Sequence, residues 1–160
     1  MAEAVDGRSG SKSAWIKWPN DVLIDGGKVA GILVEGRPQE GWAVLGIGLN
    51  VAVRVEDLPP ELRDSAASLG LEPASIEPML DAVIAALTRW LEAGDGEILA
   101  AVRARDALLD QPVRWRGMEG VGAGIDGDGR LIVALPDGGR TTLEAGEVHL
   151  GGGGGQASEE

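Results

Sequence analysis

Residues 15–51 read WIKWPNDVLIDGGKVAGILVEGRPQEGWAVLGIGLNV. Trp15–Trp18 and Asp21–Ile24 are short runs of β-favouring side chains parted by Pro19-Asn20. Asp25-Gly26-Gly27 signals a tight turn, because Asp-Gly and Gly-Gly accept the positive φ that hairpin turns require. Lys28–Gly36 and Trp42–Val51 predict two further strands, joined by the polar loop 37–41. The segment therefore predicts consecutive strands in a meander and no βαβ unit. On the last of them, alternation places Leu45, Ile47, Leu49 and Val51 on one face and Gly46, Gly48 and Asn50 on the other. Glycine weakens a strand unless something approaches the backbone closely. A track without side chains that ends in a carboxamide thus implies either a ligand or a packed helix, and spacing does not choose between them. Gly46-Ile47-Gly48 is no dinucleotide fingerprint, since it lies inside a strand and no helix follows. Lys28 and Glu35 stand an odd number of positions apart, which alternation sends to opposite faces. By local pattern alone, Lys28 is a solvated charge at a hairpin base and Asn20-Asp21 is turn chemistry.

Downstream, residues 53–73 carry Pro59-Pro60 and scattered acids and predict a loop with a short helical turn. Ile76, Met79, Leu80, Val83, Ile84, Leu87, Trp90 and Leu91 then form one helical stripe, with Ser75 as N-cap and Gly94 as the stop. Asp95 caps a second predicted helix to about Leu109, with Ile98, Leu99 and Val102 inward. From Glu56 to Glu97 there are ten acidic and two basic residues, the pattern of a solvated outer face over packed helices. After Pro112 the texture changes to VRW, GVGAGI, RLIVAL, RTTLEA and EVHL, separated by turns at 116–117, 126–129 and 136–139. Five short strands in so few residues predict a small SH3-like barrel. Asp126-Gly-Asp-Gly lacks the remaining calcium ligands and reads as one of those turns. Upstream, 1–13 reads as a frayed stub holding the last turn of a helix at 2–6, and GGGGGQASEE reads as a flexible tail.

Composition narrows the chemistry. The 160 residues carry 14 Lys and Arg against 26 Asp and Glu, a net charge of -12, which opposes binding to nucleic acid or to an anionic membrane surface. There is no cysteine, so thiolate catalysis, disulfides and Cys-rich zinc sites are excluded. The single histidine, His149, cannot build a multi-His metal centre. The five tryptophans are the whole aromatic inventory, and the lysines are only Lys12, Lys17 and Lys28. No apolar run is long enough for a membrane helix and no signal pattern follows Met1, so a cytoplasmic location is expected.

Three blocks in this order resemble the catalytic core of biotin–protein ligases: Lys17-Trp18-Pro19-Asn20-Asp21, Lys28-Val29-Ala30-Gly31-Ile32-Leu33-Val34-Glu35, and Gly46-Ile47-Gly48-Leu49-Asn50-Val51. The resemblance covers about residues 14–150. It implies an α+β fold, a mixed or antiparallel sheet with packed helices like that of class II synthetases, followed by the SH3-like barrel. The implied divisions are a stub at 1–13, part of a catalytic domain at 14–110, a C-terminal domain at 111–150 and a tail at 151–160. The implied activity is that of an ATP-dependent ligase, which forms biotinyl-adenylate from biotin and MgATP. It then transfers biotin to a lysine of a carboxylase carrier domain. A fixed cation is needed where negative charge gathers at the α-phosphate, and Lys28 matches the family lysine in that catalytic role. Asn20, Asp21, Gly31, Gly46, Gly48 and Asn50 match positions that line the ATP and biotinyl-adenylate site, with Asp21 beside the Mg2+ that ATP brings. The family's biotin pocket and Arg/Gly-rich loop lie upstream of the first block, where this chain has only a stub. The resemblance therefore implies a truncated ligase that binds ATP weakly and biotin barely, with uncovered apolar sheet that invites a homodimer. Two alternatives stand beside it: a non-catalytic remnant that only binds another protein, and a relative of the lipoyl ligases.

Overall fold

A computed structural model describes residues 1–8 and 13–151. The predicted tail beyond Gly151 and residues 9–12 of the predicted stub lie outside them. The chain begins with helix α1 (Ala2–Asp6), whose Ala2, Ala4 and Val5 are buried. Strands β1 (Trp15–Lys17), β2 (Asp21–Ile24), β3 (Gly27–Arg37) and β4 (Trp42–Leu49) follow and pair in that order, all antiparallel. This is the predicted meander. Asp25 and Gly26 make the β2–β3 turn at φ of 50° and 82°, the positive values that the Asp-Gly-Gly signal supplies.

After a short 3-10 turn at Val55–Asp57 and helix α2 (Pro60–Arg63) come α3 (Ile76–Leu91) and α4 (Asp95–Arg103). Strands β5 (Pro112–Trp115), β6 (Met118–Ile125), β7 (Leu131–Ala134), β8 (Arg140–Leu143) and β9 (His149–Leu150) complete the fold. They form a second antiparallel sheet in the order β8-β7-β6-β5-β9, so β8 and β9 are its edges. The fold is α+β, with the five expected strands in the second sheet; the described pairings do not close a β8–β9 ladder.

Two apolar clusters hold these layers. The first gathers Val5, Ala14, Val22, Ile24, Val29, Ala30 and Val51 of the first sheet and α1 with Met79, Val83 and Ala86 of α3. The second gathers Leu108, Val113, Trp115, Ile125, Leu131, Val133 and Val148, together with Trp18 from the β1–β2 turn. Fully burying a side chain of the Val or Leu kind contributes roughly 1.5–3 kcal/mol, so each cluster suffices to organise its own sheet. Beyond these cores, β3 and β4 are open: Leu33, Val34 and Val44 are each more than half exposed.

Three local expectations differ from the structure. The α3 stripe is only half covered, since Ile76, Leu80, Ile84 and Leu91 are exposed. Ser75 makes no side-chain cap bond. Helix α4 stops at Arg103, well short of Leu109, because the next residues pair with β1 instead. The Ile16 N–H donates to Arg105 O at 2.7 Å, and the Ala107 N–H donates to Ile16 O at 2.9 Å.

Candidate functional site

The β2–β3 ladder carries an irregularity that decides where Lys28 points. Asp21 faces Gly31 and Val22 faces Ala30, but Leu23 faces Lys28, so Val29 is an extra residue on β3. A bulge of this kind cancels one step of alternation. Val29 and Ala30 are consecutively buried as a result. The Lys28 side chain comes round to the face of Gly31: a Cβ built on Gly31 would lie 3.1 Å from Lys28 Cε, 3.2 Å from its Nζ and 3.6 Å from Asp21 Oδ1. By continued alternation Lys28 shares that face with Glu35, which corrects the expectation that the two lie on opposite faces.

On this face Lys28 Nζ stands 2.6 Å from Asp21 Oδ1, and Lys17 Nζ stands 3.6 Å from Asp21 Oδ2. Asp21 is 14% exposed and Lys28 50%, so the carboxylate is sheltered while the ammonium keeps a side open to a ligand. Gly31 faces Gly48 across the β3–β4 ladder, and Leu33 faces Gly46. A Cβ on Gly48 would meet nothing within 4 Å, and one on Gly46 would make only ordinary contact with Leu33. Leu62 of the one-turn helix α2 lines the hollow beside Gly31 and Gly48, and the space over Gly48 is open.

A segment of the long loop forms the adjoining wall. The Lys28 N–H donates to Ser65 O at 2.7 Å, and the Ala67 N–H donates to Lys28 O at 2.8 Å. Gly27 permits this approach, for a Cβ there would lie 2.9 Å from Ala67 Cβ and 3.0 Å from Ala66 O. Asn50 Nδ2 donates to Ala67 O at 2.9 Å, which spends its amide on the same wall and leaves its Oδ1 as an acceptor. Lys28, Gly31, Gly48 and Asn50 line one hollow of about 420 Å3 with Leu62 and Ala66. Asn20 lies toward a second hollow of about 330 Å3, where Lys17, Asp21 and Lys28 face Glu147 and Val148 of the segment between β8 and β9. Asn20 Nδ2 donates to Ile32 O at 2.8 Å, which closes the β1–β2 turn onto β3.

The six residues the sequence singled out beside Lys28 are therefore arranged around one sheet face, with Asn20 at the turn that borders it. Sequence reasoning missed the Ser65–Ala67 wall. Its only local signal is a run of small residues that allows close backbone approach. It also missed Lys17 as the second cation on Asp21, although an i, i+4 spacing across a turn was there to be read. For a divalent cation the donor set is sparse: no group of three His, Asp or Glu side chains converges among the described residues. Asp126 behaves as turn chemistry, its Oδ1 accepting the N–H groups of Asp128 at 2.9 Å and Arg130 at 2.8 Å.

The sequence profile of the Biotin/lipoate A/B protein ligase family matches residues 1–51. Biotin–[acetyl-CoA-carboxylase] ligase of Paracoccus denitrificans is 37% identical over 155 residues, covering 86% of this chain and 63% of that protein. This chain is similar to the biotin protein ligases. The ligase of the same name from Mycobacterium tuberculosis is 37% identical over 149 residues, covering 84% of this chain and 53% of that protein. The chain thus spans between half and two thirds of the length of these curated relatives. The solved biotin protein ligase of Aquifex aeolicus shares the fold at a TM-score of 0.75 and 24% identity, covering 93% of this chain and 70% of that one. Its complex with biotin and ATP gives 0.73, with 93% and 66% covered. No helix among the described residues is long and apolar enough to cross a membrane.

Proposed function

We propose that this chain carries the nucleotide-facing part of a biotin–protein ligase, with Lys28 as the electrostatic catalyst of adenylate formation. The observation that carries this is the half-open Lys28 ammonium, braced by Asp21, beside a strand track stripped of side chains. In the first step an oxygen of biotin's carboxylate bonds to the α-phosphorus of ATP, the bond from that phosphorus to the bridging oxygen breaks, and pyrophosphate leaves. Two anions must meet for this. A preorganised cation at the point where charge gathers contributes most of what a protein can supply there. Asp21 holds the ammonium in place, and Gly31, Gly46 and Gly48 let the ligand lie against backbone. In the second step an acceptor lysine's amine nitrogen bonds to the carboxyl carbon, and AMP and one proton leave.

Biotin and ATP are the ligands of the Aquifex aeolicus ligase that shares this fold, and the names of the curated relatives point to a carboxylase carrier as acceptor. Magnesium suits the site if it arrives on the phosphates, since it commonly takes only one or two protein carboxylates. Asp21 is the side chain that would meet it, and the ion's positive charge would offset the repulsion between ATP and a chain of net charge -12. We place the catalytic part at 14–110 and a C-terminal domain at 111–150, in the cytoplasm. The exposed Leu33, Val34 and Val44 favour self-association.

Biotin-dependent exchange of pyrophosphate into MgATP tests the reading. Exchange is expected with the chain, and Lys28→Ala should lower it about 100-fold or more. Exchange untouched by Lys28→Ala removes Lys28 from the mechanism. A complete absence of adenylate with the unaltered chain leaves only a protein-binding role. Faster exchange with octanoate or lipoate moves the chain to the lipoyl side of the family.

A further inference from the structure

We propose that Trp18 is a positioning residue for the Lys28–Asp21 pair, carrying the placement of the second sheet into the site through its indole N–H. The proposal rests on the reading of Lys28 above only where it concerns nucleotide affinity. Trp18 lies between Lys17 and Asp21 in the chain, yet its ring is buried in the second cluster, not the first. Its Nε1 donates to Gly129 O at 3.0 Å, a contact between residues 111 positions apart. The acceptor is itself fixed. Gly129 sits in the β6–β7 turn at φ of 81°, and the Asp126 carboxylate organises that turn through its two N–H bonds.

The strand leading into Trp18 is clamped as well. Ile16 pairs with Val22 of β2 on one side and bonds Arg105 and Ala107 on the other. Beyond Trp18 the turn closes on β3 twice, through Asn20 Nδ2 to Ile32 O at 2.8 Å and through the Ile32 N–H to Asn20 O at 2.9 Å. Between the anchored indole and Asp21 there is thus little slack. A shift of Trp18 moves the carboxylate that braces both lysines, and with it the ammonium beside the glycine track. The segment leading into β9, whose Val148 packs in the same cluster as Trp18, presents Glu147 and Val148 across the hollow from Lys17 and Lys28, so its placement also sets the width of that opening.

Trp18→Phe keeps an aromatic ring in the core and removes the N–H donor together with part of the indole's volume. The readout is 13C NMR of the reductively dimethylated protein, in which only three lysines need assignment. The Lys17 and Lys28 resonances are expected to move in a protein that still folds, with a lowered thermal midpoint, and MgATP affinity should fall roughly fivefold or more; Asp126→Ala, which leaves the core volume intact, is expected to move the same resonances. A folded Trp18→Phe protein with both resonances and the affinity unchanged would show that the ring merely fills space. Should Trp18→Phe not fold, Asp126→Ala decides: it loosens the turn that presents Gly129 without touching the core, and the same resonances must move. If they stay, the proposal falls. If the unaltered protein binds no MgATP but the resonances respond, the positioning role stands and the nucleotide reading fails on its own.

Discussion

Gly48 is the residue at which fold and function part most cleanly. It lies in β4 beside Gly31, and open space surrounds the position a Cβ would take. Replacing a strand glycine by alanine there costs the fold nothing and should even favour it by a few tenths of a kcal/mol. Gly48→Ala is therefore expected to keep or slightly raise the melting temperature while weakening MgATP binding about tenfold, which is about 1.4 kcal/mol. Calorimetry on the same sample reads both. An affinity that does not change would mean that the bare track serves something other than a nucleotide. Much at this scale was legible in advance, because period-2 alternation sorts Gly46, Gly48 and Asn50 onto one face without any structure. The face of Lys28 was not. Alternation gives the wrong side for it, since nothing in KVAG announces that Val29 is skipped by the ladder; the bulge is settled by how the neighbouring strand and the core take up Val29 and Ala30 together.

At the scale of elements, the apolar period of residues 76–91 located α3, since a stripe eight side chains long admits no strand, although the helix ends at Leu91 and not at the expected stop, Gly94. It did not say how wide the covering layer is. Only Met79, Val83 and Ala86 are buried, and exposure along the rest of the stripe depends on what lies opposite. Helix α4 shows the other limit. Residues 104–109 have helical propensity, yet the chain leaves the helix to satisfy both backbone bonds of Ile16, a long-range competitor that no local window contains. The segment after it packs tightly. A Cβ on Gly122 of β6 would run into the backbone carbonyl of Leu108, which has no side chain to swing away. Gly122→Ala is thus expected to destabilise the protein by about 2–4 kcal/mol, visible as a lower urea midpoint. A midpoint within error of the unaltered chain would show that the β6 backbone yields more easily than this contact implies.

For the molecule as a whole, the two sheets meet where residues 105–107 run beside β1, and a carboxylate is buried at that seam. Asp106 is 8% exposed, and its Oδ1 accepts the Leu108 N–H at 2.9 Å. Burial pushes its carboxyl above the usual value of 3.8, and the N–H groups of Leu108 and Leu109 offset part of that. A raised carboxyl pKa in the folded state means that the unfolded chain gives up this proton first. The contribution of Asp106 is therefore most favourable below pH 3.8 and is lost as pH rises through the folded value. Asp106→Asn keeps the acceptor and removes the charge, so its stability relative to the unaltered protein should grow from about pH 4 upward and then level off. Denaturant titrations across that range check it, and a difference that shrinks with rising pH would reverse the sign. The carboxylates held low, Glu3, Glu40, Glu56 and Asp126, work in the opposite direction but cancel in this comparison. The skipped residue in β3 reaches furthest of all. Were Val29 taken into the ladder like its neighbours, the sequence of the site would be unchanged and the pairing more regular, yet the lysine would emerge on the wrong side of the sheet. For this stretch of protein, which residues the ladder skips is as much a part of the chemistry as their identity.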